Sequence, residues 1–66
     1  MQITAKQIRE LADKKQEEAM SCEYGSSEYL RLLRISFEGQ RIAQSLDDLK
    51  ELLGVSHLSV EINDSP

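Results

Sequence analysis

Two of the residues that most often staple small proteins are nearly missing from this chain: Cys22 is the only cysteine and His57 the only histidine among 66 residues. A single thiol closes no intrachain disulfide, and without a signal-like apolar segment it points to a reducing, cytoplasmic setting. One cysteine and one histidine fall well short of the four ligands of structural zinc, so no metal site is expected. Long apolar runs are absent as well, the longest being two residues, as at Leu32-Leu33 and Leu52-Leu53. Nothing of that length spans a bilayer, and no membrane association is expected. Basic residues are outnumbered, eight Lys and Arg against twelve Asp and Glu, for a net charge of -4. Attraction to a nucleic-acid backbone rests on counterion release by Lys and Arg, so direct nucleic-acid binding is disfavoured.

Catalytic signatures are lacking too. No GxxxxGK or GxGxxG phosphate loop occurs. His57 has Ser56 and Ser59 nearby but no acid placed to orient it in a triad. The acidic pairs Glu17-Glu18 and Asp47-Asp48 fall on polar helix faces, where solvation is their ordinary role. The expectation is a protein that is not an enzyme and takes no cofactor. A domain this short buries a small fraction of its surface and needs a disulfide, a metal or a second chain for stability. With the first two excluded, self-association is the structural default.

What is present reads as helix. Thr4-Ala5-Lys6-Gln7 has the form of a capping box, so a helix begins at about residue 4. Ile8, Leu11, Ala12, Lys15 and Ala19 then follow one stripe of an amphipathic helix that holds only two large apolar side chains. Lys15, inside the stripe, is placed to lay its methylenes on the core and its amine in water. Glu10 and Lys14 add a helix-supporting pair at i, i+4 on the outer face. Around 21–27 the pattern breaks, with Gly25 suited to ending one helix and Ser26 or Ser27 to capping the next.

After this hinge Leu32, Ile35, Ile42, Leu46, Leu49 and Leu53 recur in a heptad-like seam, with Gly39 where another apolar residue would fall and Gly54 at the C-cap position. Ala43 widens the seam. Ser45 followed by Asp47, Asp48 and Glu51 also reads as a fresh helix start, so 27–53 is one helix or two. A rival α+β reading makes 30–37 and 40–44 the arms of a β-hairpin turning at Glu38-Gly39, a weaker turn than Asn-Gly. The tail alternates Leu58, Val60 and Ile62 against polar neighbours in the period of a strand. Such a strand pairs with its counterpart in a dimer or with a partner's sheet edge, packs on the hairpin, or stays unstructured. The polar end 63–66 has no evident role.

Two groups of residues are candidates for function. Leu30, Leu33 and Phe37 form a second apolar stripe at i, i+3, i+7, turned well away from the seam. One hairpin cannot cover both sides of a helix, so this stripe reads as an interface with a second copy or with another protein, unless the tail folds over it. Arg31, Arg34 and Arg41 share another face, with Tyr24 and Tyr29 close by in sequence. Guanidinium forks and tyrosine rings together suit a phosphate or nucleotide. The bland alternative is a solvated face of arginines beside glutamates.

The resulting expectation is an all-α antiparallel helical hairpin, helices at about 4–20 and 27–53, forming a unit over 1–54 with an extended tail over 55–66. It dimerises into a small bundle. In function it is expected to be an acidic interaction protein that binds and modulates a protein partner, inhibiting it or acting as an adaptor. The alternative is a small-ligand binder sequestering a nucleotide or other phosphate-bearing metabolite at a subunit junction.

Overall fold

The computed structural model describes residues 1–63, so the end of the tail, 64–66, lies outside the described residues. In chain order the elements are β1 (Gln2–Thr4), α1 (Ala5–Met20), α2 (Ser27–Leu53) and β2 (Ser59–Glu61). The helical hairpin is as expected. Thr4 caps α1 with the full capping box: its hydroxyl accepts from the Gln7 amide at 3.3 Å, and its own amide donates to Gln7 Oε1 at 2.9 Å. Those bonds satisfy amide groups that the first helical turn leaves without intrahelical partners. Ser26, of the two candidate serines, caps α2 by accepting from the Tyr29 amide at 3.2 Å. Gly54 ends α2 at φ 69°, a left-handed conformation that glycine adopts without a Cβ penalty.

α2 runs unbroken through Gly39 and Ser45. This excludes both the β-hairpin over 30–44 and a division of 27–53 into two helices. A helix-interior glycine costs roughly 1 kcal/mol against alanine, and the packing explains why it is there. A Cβ built on Gly39 falls 3.1 Å from the Ala12 Cβ, closer than side chains normally stand. The two helices therefore cross at their smallest residues. On α1 the buried positions are Ala5, Ala12 and Ala19, seven residues apart; on α2 they are Leu32, Ser36, Ala43 and Leu46.

The expected seam needs correction here. Its Leu32 and Leu46 are buried, but Ile35, Ile42, Leu49 and Leu53 are exposed. A backbone approach this close leaves no room between the helices for a row of isoleucines. They flank the contact instead, and Leu49 and Leu53 lie where α2 has run on past the start of α1.

A second correction concerns the ends of the chain. The fold is not all-α, because the tail pairs in antiparallel register with the first residues of the same chain: Gln2 with Glu61, Ile3 with Val60, Thr4 with Ser59. The Met1 amine donates to Glu61 Oε1 and to the Ile62 carbonyl, each at 3.2 Å. Leu58 and Val60, with Ile8, pack on Ala5, Ala43 and Leu46, and Ile3, opposite Val60 in the register, is buried. The strand periodicity of the tail was legible in sequence. Its mate was not, since three residues carry no period of their own.

The opposite edge of the helix pair is polar. Arg9 donates to Asp47 Oδ2, Lys50 stands 3.6 Å from the same carboxylate, and Gln40 donates to Asp13 Oδ1 at 3.0 Å. The Arg9 hydrogen bond, with the charges of Arg9 and Lys50, holds the Asp47 carboxyl below its ordinary value against a smaller opposing effect of desolvation. The hairpin thus has an ion-paired edge and an apolar one.

Candidate functional site

The second apolar stripe stands largely open. Leu30 is 57% and Phe37 62% exposed, while Leu33 is half-buried. The described part of the tail lies elsewhere: Leu58 and Val60 pack on the seam between the helices, not on this side of α2. Leu30 and Phe37 therefore project from the helix as sequence spacing indicated, and Leu33 forms the root of the stripe.

The arginine and tyrosine group is not drawn into one pocket. Arg31 donates to both carboxylate oxygens of Glu28, and Arg41 donates to Glu38 Oε2. The Glu28 hydrogen bond and charge raise the Arg31 pKa, and Arg31 in turn lowers that of Glu28. Arg34 makes no hydrogen bond or ion pair among the described residues. Tyr24 and Tyr29 do meet, with ring centroids 5.1 Å apart and planes tilted by 47°. Ser27, Leu30, Arg31 and Arg34 line a shallow hollow near the start of α2. Arg41 lies seven residues beyond Arg34, about 10 Å along the helix axis. Two of the three guanidinium groups are occupied by glutamates three residues away, and the third has no such partner among the described residues.

One apolar surface expected inside the hairpin lies outside it. A groove of about 360 Å³ runs along the junction of α1 and α2, lined by Ile8, Leu11, Ala12, Lys14, Lys15, Glu18, Ile35 and Gly39. Its floor is the Ala12–Gly39 crossing, where small side chains leave a hollow. Its walls are Leu11, 51% exposed, and Ile35, 38% exposed. Ile42, 49% exposed, stands seven residues beyond Ile35 on the same face of α2, next to the groove's lining residues. The available signal was the alanine spacing of α1, which marks a helix that packs through small residues and leaves its neighbour's large ones beside the contact.

Among the described residues no group of three or more His, Cys, Asp or Glu comes together as a metal site would require. No helix among them is long and apolar enough to cross a membrane. No protein-family model matches the chain, and neither a curated protein nor a solved structure is similar to it.

Proposed function

We propose that this chain is a small acidic interaction protein that binds and modulates a protein partner, and that Leu30, Leu33 and Phe37 are its partner-facing residues. The observation that carries this reading is the exposure of Leu30 and Phe37 on one side of a helix whose other side is already packed against α1. Solvent-facing leucine and phenylalanine at helical spacing are the usual anchors for an apolar groove or helix of another protein. Arg34 and Arg41 border the stripe, and Arg34 has no carboxylate partner among the described residues. The fitting partner surface is accordingly an apolar one with acidic groups at its rim.

Capture from lysate by the tagged protein, run beside the Leu30→Glu, Phe37→Glu variant, tests the assignment. The expected result is a protein retained in stoichiometric amount by the parent chain and lost from the variant. Retention of every captured protein by both chains, or elution of the bait alone, overturns it. Because both positions are exposed, the substitutions are expected to alter folding stability by no more than about 0.5 kcal/mol, which thermal unfolding of the two chains checks.

A further inference from the structure

The heptad seam of α2 is only half used. Leu32, Gly39 and Leu46, seven residues apart, face α1 and are buried or closely packed. Ile35, Ile42 and Leu49, also seven residues apart, form the other half of the same seam and lie exposed, Ile35 in the wall of the groove, Ile42 next along the same face and Leu49 beyond the start of α1. In a bundle or coiled coil both halves of a heptad are covered, because each contributes to one continuous core. The hairpin supplies one covering helix, and the seam was built for more.

The dimensions agree. The chain measures 43 × 28 × 14 Å, a slab little more than one layer thick, with a radius of gyration of 14.0 Å. A compact chain of this length has a radius of gyration of about 11 Å, and stable domains are built from two packed layers. The accessible surface is 5118 Å², about 900 Å² above the roughly 4,200 Å² of a compact monomer of this mass. That surplus is close to the roughly 800 Å² that each partner buries in a protein interface of standard size. The slab has the excess surface of one missing face.

We infer that the missing layer is a second copy of this chain, seated face to face on the groove of Leu11, Ile35 and Ile42 to make a two-fold, four-helix assembly. The face suits a copy of itself. It carries a ridge, Ile35 and Ile42, beside a hollow, the Ala12–Gly39 crossing, so the ridge of each protomer has a hollow to enter. Its charged border is mixed, Lys14 and Lys15 with Glu18, in a chain whose net charge is -4. Two such faces meet without the like-charge repulsion that the acidic remainder of the surface would impose. The assembly leaves Leu30 and Phe37, on the far side of α2, open to another protein, so it goes beyond the partner-binding role proposed above and does not depend on it.

Sedimentation equilibrium on the full chain, with matched variants, tests this. The parent is expected to reach twice the 7.5 kDa chain mass. Ile35→Ala with Ile42→Ala is expected to weaken the dimer by about a hundredfold or more. Leu30→Ala with Phe37→Ala is expected to leave it within about threefold. Should the first variant fail to fold, the contact is read in the parent protein, from intermolecular nuclear Overhauser effects in a mixture of isotope-labelled and unlabelled chains. Contacts at Leu11, Ile35 or Ile42 methyl groups sustain the inference. A parent that remains monomeric, or intermolecular contacts confined to Leu30 and Phe37, overturns it.

Discussion

Gly39 is the residue on which the helix crossing turns. A Cβ at this position would stand 3.1 Å from the Ala12 Cβ, tighter than an ordinary contact, with the Ala12 Cα and an Ile8 methyl within 4 Å. Intrinsic propensity favours leucine over glycine inside a helix by somewhat under 1 kcal/mol. Packing opposes it, because the added Cβ, on the α1 side of the groove, would at that distance press α1 away from α2, and overpacking commonly costs about 1–3 kcal/mol. Gly39→Leu is therefore expected to destabilise the protein by about 1 kcal/mol on balance, measured by urea denaturation. Unchanged or increased stability would show that the helices do not meet at this point. The glycine's place in the heptad was legible in sequence; the identity of the residue opposite it was not, since spacing along one helix does not say which residue of another helix lies against it.

At the scale of elements, the strand pair makes the tail part of the fold. β2 has no core of its own: Leu58 and Val60 reach Ala5, Ala43 and Leu46, while β1 supplies the backbone partner. Val60 stands opposite Ile3 in the register, and Ile3 is buried. A carboxylate at Val60 would be drawn into that half-buried apolar setting at a desolvation cost. Val60→Asp is expected to lower stability by about 1–3 kcal/mol. Amide hydrogen exchange should show faster exchange over 2–4 and 59–61, with the centres of α1 and α2 protected for longer. Uniform loss of protection would mean that hairpin and strands unfold as one unit. The boundaries of both helices were legible because caps and glycines are local signals. The pairing of β1 with β2 joins residues 57 positions apart, and a three-residue strand such as β1 carries no periodicity to announce it.

For the whole molecule the leading fact is thinness. Only three large apolar side chains, Ile3, Leu32 and Leu46, are buried among the described residues, while Leu11, Leu30, Ile35, Phe37, Ile42 and Leu49 are not. A core this small offsets little of the chain entropy lost on folding. Where a second copy completes it, stability becomes a function of concentration, because association binds the folded chain and not the unfolded one. The thermal midpoint is expected to rise by several degrees over a hundredfold increase in protein concentration, read by circular dichroism. A midpoint that is constant over that range would mean that the single layer is stable alone.

Local chemistry in the sequence determined the two helices, their caps, the hinge around Gly25 and the strand character of the tail, because each depends on residues within a few positions of one another. It also determined that α2 carries apolar groups on more than one side, since spacing alone sets direction around a helix. Only the tertiary structure decided which of those sides α1 takes. Ala12 against Gly39 permits a close crossing, and a close crossing buries small residues while leaving Ile35 and Ile42 beside it. That outcome depends on the distance between two backbones, a quantity that no single helix's pattern contains.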